Sequence, residues 1–226
     1  LTLGIINARR SAAKLALEHL EIAANAYQSN SKVQLAFAKV LALTGNLDRA
    51  EQILTGILAK DKSYAEPYYW LGYLYARRIE TPENLKAAEK NLRTSLDLQP
   101  LFPQANLEIA KLYLRQKRYD LALTHVNRAI QHRKHYPAAL FVQQKALEGL
   151  GKTAEAQKAQ ENLRVETQLA ERGRALLRQY SGSPDNLDII YALIQTQLDL
   201  EQPESAMRFL QDAMRRAPND PRFQQA

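Results

Sequence analysis

The sequence predicts an all-α protein made of antiparallel helix pairs stacked side by side. Composition, an internal repeat and the placement of turn residues each support this fold class. Helix-forming residues dominate, and the 226 residues include only 8 Gly and 9 Pro, so long stretches can remain helical. With 46% hydrophobic residues, the chain can bury a substantial interior and is expected to fold.

The internal repeat has a period of about 34 residues and is clearest in a set of aligned alanines. These alanines are Ala50, Ala88, Ala122, Ala156 and Ala206. The position nine residues before the alanine holds Leu41, Tyr113, Leu147 and Gln197, and Tyr75 is the matching residue thirteen before Ala88, whose repeat has four extra residues. Paired helices need small residues where their backbones approach and large ones where their side chains interdigitate. The aligned positions are therefore predicted to face the core of each pair.

Turn residues divide the chain into repeats. The predicted segments are a partial repeat at 1–30, repeats at 31–64, 65–102 and 103–136, an atypical repeat at 137–186, a repeat at 187–220, and the start of a truncated repeat at 221–226. Thr81-Pro82-Glu83 and Ser183-Pro184-Asp185 are predicted helix starts, with Thr81 as N-cap. The chain begins at Leu1 and ends soon after Pro221, so we expect both ends to be cuts within a longer protein.

Two segments depart from the period. Residues 78–83 contain four extra residues, about one helical turn, which can lengthen a helix without rotating its buried face. The segment from Pro137 to Leu187 contains 16 residues more than one repeat needs, and Gly173 is the one glycine between Lys152 and Tyr180. A single long helix, or two helices broken near Gly173, would both fit this segment.

These features resemble the tetratricopeptide repeat (TPR). Segment 65–102 matches the TPR pattern at Tyr68, Leu71, Gly72, Tyr75, Ala88, Leu92 and Pro100, and segment 187–220 matches it at Leu193, Ala206, Leu210, Ala213 and Pro218. The resemblance covers nearly the whole chain and implies a right-handed superhelical solenoid. It is informative about fold and less so about function, because the motif specifies packing.

The resemblance also implies that the first helix of each pair lines a concave groove. Carried over by position, it assigns the partner-binding residues Lys39, Tyr69, Tyr73, Arg77, Lys111, Arg115, Phe141 and Lys145. Cations attract carboxylates, and aromatic rings provide rigid apolar contact. The predicted ligand is therefore an acidic, partly apolar peptide, although these cations could instead form a solvated face.

The net charge of +7 is concentrated in one repeat. Residues 103–136 contain seven Lys or Arg and two acidic residues, a net charge of +5. A local patch argues against general nucleic-acid binding, which usually needs cations spread along a face. Aromatic residues between Tyr64 and Tyr75 could stack bases, so single-stranded nucleic-acid binding remains a further alternative. Within this cluster, Trp70 and Tyr75 are predicted to pack between helices, and Tyr69 and Tyr73 to contact a ligand.

The sequence indicates no catalytic chemistry, cofactor or small-molecule substrate. Cysteine is absent, and no phosphate-binding loop, nucleophile motif or zinc-binding motif is found. The run from His132 to His135 is interpreted as positive charge near a helix C-terminus, where it is favourable. No metal site is predicted there, because Arg133 and Lys134 would repel a divalent metal ion and no carboxylate is nearby. No apolar stretch is long enough to span a membrane, and the compartment is not indicated.

The predicted function is a non-catalytic protein-protein interaction scaffold. The alternative is a structural spacer or self-assembly module of a larger protein, forming homo-oligomers through the repeat ends or the long helix.

Overall fold

The structure, a computed structural model, describes residues 15–133 and 135–224, and every regular element in these ranges is a helix. Helix α1 covers residues 15–26. The helices that follow are α2 Ser31–Leu43, α3 Leu47–Lys60, α4 Ala65–Arg77, α5 Pro82–Leu98, α6 Pro103–Arg115, α7 Tyr119–His132, α8 Pro137–Gly149, α9 Thr153–Gly182, α10 Leu187–Asp199, α11 Pro203–Arg216 and α12 Pro221–Gln224. The predicted all-α fold class is confirmed. No helix in the described ranges is both long enough and apolar enough to cross a bilayer.

The chain divides into two compact units, the first ending at His132 and the second beginning at Arg133. In the first unit, α2 packs against α3, α4 against α5, and α6 against α7. Successive pairs contact each other through α3 with α4 and α5 with α6, and the first helices also touch, α2 with α4 and α4 with α6. Helix α5 has 17 residues, whereas α3 and α7 have 14.

The aligned alanines lie at helix-helix contacts, as the repeat predicts. Their exposed fractions range from 0% to 5%. Gly72 marks another close approach, because a β-carbon built on it would lie 2.6 Å from Cγ of Leu92. The small residues of the repeat are therefore located where the helices of a pair approach most closely.

Side-chain caps mark several helix starts. Asn30 accepts hydrogen bonds from the backbone amides of Lys32 and Val33, and Thr81 accepts one from that of Asn84, with Pro82 in the first turn. The prediction for Ser183-Pro184-Asp185 is wrong. There, α9 ends at Gly182 and α10 begins at Leu187, because Asn186 provides the cap and accepts from the amides of Asp188 and Ile189.

The second unit is built around α9, a single helix of 30 residues that is about 45 Å long at 1.5 Å per residue. Helix α9 packs against both α8 and α10, and α10 packs against α11. Ala156 and Ala159 are buried near the start of α9, and Gly173 lies against Thr196 and Leu200 further along. Phe223 of α12 completes the core between α10 and α11.

His125 of α7 is a partly buried histidine of the first unit. Its Nδ1 lies 3.0 Å from Oδ1 of Asn106, and its ring lies 5.7 Å from that of Tyr113. Burial, together with the positive charges of Arg128 and Arg93, lowers the pKa of His125 to about 4. The neutral ring is therefore favoured in the folded state, whereas the unfolded chain takes up a proton near pH 6.5.

We therefore expect the free energy of unfolding to fall as the pH drops from about 6.5 to 4, by at most about 1.4 kcal/mol per pH unit, the limit for one proton. In the His125→Gln variant this slope should flatten, whereas replacing the exposed His19 with Gln should leave it unchanged. Urea unfolding followed by circular dichroism between pH 7 and 4.5 measures the slope. An identical slope in wild type and His125→Gln would show that His125 is not responsible.

Candidate functional site: the α2-α4-α6 surface

Six of the eight predicted site residues lie on the first helices of the three pairs in the first unit. Lys39 is on α2, Tyr69, Tyr73 and Arg77 are on α4, and Lys111 and Arg115 are on α6. Because α4 touches both α2 and α6, we treat these helices as one surface and call it the α2-α4-α6 surface. Phe141 and Lys145 lie on α8 in the second unit.

Two carboxylates occupy the same surface and pair with its cations. Lys39 Nζ lies 2.5 Å from Glu66. Glu108 lies 2.8 Å from Lys111 Nζ and 3.5 Å from Arg77. The predicted cations are therefore partly neutralised within the protein. Four cations face two carboxylates, which leaves a positive surplus.

Arg77 and Arg115 are held where α4 and α6 meet. The guanidinium carbon of Arg77 lies 3.2 Å from the centroid of the Tyr73 ring, within the range of a cation-π contact. Arg115 donates a hydrogen bond of 3.2 Å to the backbone carbonyl of Ala76 near the end of α4. Burial raises the pKa of Tyr73, with the positive charge of Arg77 opposing the shift, so Tyr73 is a neutral donor at pH 7. These contacts reduce the rotamer freedom that binding would otherwise remove.

Tyr69, which was predicted to contact a ligand, is buried in the structure. It is 8% exposed, because its ring packs 5.0 Å from Phe102 and 5.1 Å from Trp70, measured between ring centroids. Trp70 is buried, as its sequence position suggests. The Tyr69 ring is therefore packed inside the first unit, whereas the Tyr73 ring is partly exposed on the α2-α4-α6 surface.

In the second unit, Phe141 and Lys145 lie close together on α8. Phe141 is 49% exposed, and Lys145 Nζ lies 5.9 Å from its ring centroid. Lys145 also pairs with Glu148 at 2.8 Å. These two residues form a small patch that is already partly neutralised.

The histidine run has a partner that the sequence argument missed. His135 Nδ1 lies 2.9 Å from a carboxylate oxygen of Glu166, 31 residues away in sequence. The premise that no carboxylate is near this run was therefore wrong for His135, while Lys134 lies outside the described residues. Over the described ranges, no group of three or more His, Asp or Glu side chains could hold a metal ion.

Glu108 is the residue of the surface that sequence reasoning missed. The signal was present, because Glu108 precedes Lys111 by three residues on one helix, and such pairs face each other. Its second partner, Arg77, lies on another helix, and sequence spacing does not reveal contacts of that kind.

Comparisons with known proteins agree with this architecture. Family models described as tetratricopeptide repeat match residues 81–139 and 165–226, together more than half of the chain. No curated protein matches.

Several solved structures share the fold at low sequence identity. YrrB, described as a TPR protein with an unusual peptide-binding site, is 20% identical with a TM-score of 0.56, covering 93% of this chain and 98% of its own. PilF of Pseudomonas aeruginosa is 16% identical with a TM-score of 0.57, covering 99% and 93%. In the Cut9-Hcn1 hetero-tetramer of the APC/C, a chain 16% identical has a TM-score of 0.62, covering 99% of this chain and 40% of its own. With buried alanines at each repeat, two matching family models and these structural relatives, the chain belongs to the tetratricopeptide-repeat family.

Proposed function

We propose that this chain is an interaction scaffold whose α2-α4-α6 surface binds an acidic, partly apolar peptide. The family supports the general role, because TPR repeats are protein-protein interaction modules and their fold is typical of non-catalytic scaffolds. The observation that carries the specific proposal is the surplus of cations beside the partly exposed Tyr73.

The internal pairing shapes how such a peptide would bind. Lys111 shares Glu108 with Arg77, so a peptide carboxylate approaching Arg77 or Lys111 competes with Glu108. Arg115 has no carboxylate partner among the described residues, and it donates its hydrogen bond to a backbone carbonyl. Arg115 is therefore the cation best placed to accept a new carboxylate, and Tyr73 offers the apolar contact nearby.

Charge reversal on α6 tests this site. We expect Lys111→Glu/Arg115→Glu to weaken binding of a fluorescein-labelled peptide of alternating glutamate and leucine by about tenfold or more, since attraction becomes repulsion. Wild-type binding should also weaken as salt rises, because exposed charges are screened. Fluorescence anisotropy measures the affinity, and circular dichroism checks the fold.

The matched control is Lys86→Glu/Lys90→Glu on α5. These exposed lysines have the same spacing of four residues and undergo the same change of charge. Equal affinities for the two double variants would exclude the α2-α4-α6 surface as the binding site. Light scattering on the same samples would reveal the self-assembly that the spacer alternative requires.

A further inference from the structure

A second candidate site lies in the second unit, between the later half of α9 and the α10-α11 turn. Two cavities of about 540 Å³ and 290 Å³ open there. Both are lined by Leu177, Gln197 and Gln202, so they form one continuous depression, which we call the α9 cleft. No residue assigned to the α2-α4-α6 surface takes part in it.

Gln197 distinguishes the α9 cleft from an ordinary depression of the protein surface. Its position in the repeat holds Leu41, Tyr113 and Leu147 elsewhere, and those three side chains are buried core residues. Gln197 is 6% exposed, and its side-chain amide has no hydrogen-bond partner in the part of the chain that the structure describes. Gln197 lines both cavities, and its amide atoms are not among the buried side-chain atoms without a partner, so they are open to a ligand that enters the cleft.

The charges of the α9 cleft favour an anionic ligand. Arg174 of α9 and Arg208 of α11 line the two cavities, and neither is paired with an acidic residue within the described ranges. The two acidic side chains that line the cleft already have partners. Glu166 contacts His135, and Asp212 accepts hydrogen bonds from the Tyr180 hydroxyl and from Arg216.

The cleft also offers apolar contact beside these charges. Leu177 is 41% exposed, and Phe209 packs edge-to-face on Tyr180 with 5.6 Å between ring centroids. A ligand held here would therefore meet an aliphatic side chain and an aromatic ring as well as two guanidinium groups.

We propose that the α9 cleft is a second peptide-binding site, which takes an acidic segment carrying one apolar side chain. The Gln197 amide can donate to a peptide carbonyl and accept from a peptide N–H. Arg174 and Arg208 bind carboxylates of the peptide, and Leu177 and Phe209 contact the apolar residue. This proposal is independent of the α2-α4-α6 surface.

The test separates the two sites by using the full chain with Lys111→Glu/Arg115→Glu as background. The probe is the glutamate-leucine peptide with benzoylphenylalanine in place of one leucine, titrated by anisotropy and then photo-cross-linked. We expect residual binding in this background, with cross-links that map by mass spectrometry to residues around Leu177 and Phe209. If this background showed neither binding nor cross-links at these residues, the proposal for the α9 cleft would be refuted. The proposal for the α2-α4-α6 surface would not be affected.

Two double variants test whether the arginines of the α9 cleft are responsible for the residual binding. Arg174→Glu/Arg208→Glu should weaken the residual binding at least tenfold, whereas the charge-matched control Lys158→Glu/Arg172→Glu, on the exposed side of α9, should not. Equal effects of the two pairs would contradict the proposal, as would complete displacement of the peptide by inorganic phosphate at constant ionic strength.

Gln197→Leu gives a second, independent readout. Leucine occupies this position in other repeats, so the variant should melt at the same temperature as wild type or higher while binding the probe at least tenfold more weakly. A purely structural glutamine would show the opposite, lower stability with unchanged affinity, and that result would overturn the proposal.

Discussion

Ala122→Arg should destabilise the first unit by at least about 3 kcal/mol, and Ala206→Arg should do the same to the second. Ala122 is fully buried and Ala206 nearly so, at contacts between paired helices. A long charged side chain there must either separate the helices or remain buried without a partner. Both variants should therefore melt far below wild type.

Lys111→Ala is the contrasting change. Lys111 is partly exposed, and its partner Glu108 also keeps a contact with Arg77, so the loss should stay below about 1 kcal/mol. Thermal melts followed by circular dichroism compare the three variants. Equal melting temperatures would show that the aligned alanines do not lie at the helix contacts.

Gly72→Ala should lower the stability of the first unit by about 1–3 kcal/mol. A β-carbon at Gly72 would lie 2.6 Å from Leu92 Cγ and 3.1 Å from the Leu92 backbone nitrogen. Leu92 is fully buried in α5, so the side chain has little room to move and the two helices must shift. Urea unfolding measures the loss.

Gly56→Ala is the control with the opposite expected sign. Gly56 is an exposed residue inside α3, and a β-carbon there would meet nothing within 4 Å. Alanine is favoured over glycine inside a helix by about 1 kcal/mol, so this variant should be more stable than wild type. If Gly72→Ala were stabilising as well, the close contact between α4 and α5 would be refuted.

The sequence was sufficient to predict the helix pairs because helix packing depends on local spacing. The aligned alanines recur with the period of one helix pair, and all are buried in the structure. The cap at Thr81 was also predicted correctly, since its partner Asn84 is three residues away. At Ser183 the same reasoning was wrong, because two polar residues, Ser183 and Asn186, compete for the cap and the structure uses Asn186.

The candidate sites were less predictable because their chemistry depends on contacts between distant residues. Whether Arg77 is free or paired depends on Glu108 of another helix. The pairing of His135 with Glu166 spans 31 residues, and no local pattern indicates it. Gln197 is a polar residue at a position that holds Leu41, Tyr113 and Leu147 in other repeats, but its place in a cleft became visible once α9, α10 and α11 were placed together.

The length of α9 affects how unfolding spreads through the second unit. In a repeat array, each boundary between neighbouring pairs is a point at which partial unfolding can stop. Helix α9 belongs to the α8 pair and packs against α10. Helices α3 and α5 also pack against two neighbours, but α9, with 30 residues, is about twice as long as α3, with 14. Fraying that begins at α11 and reaches α10 therefore exposes a larger part of the helix that holds α8 in place. The second unit therefore lacks an internal stopping point, and its helices should open as one cooperative block.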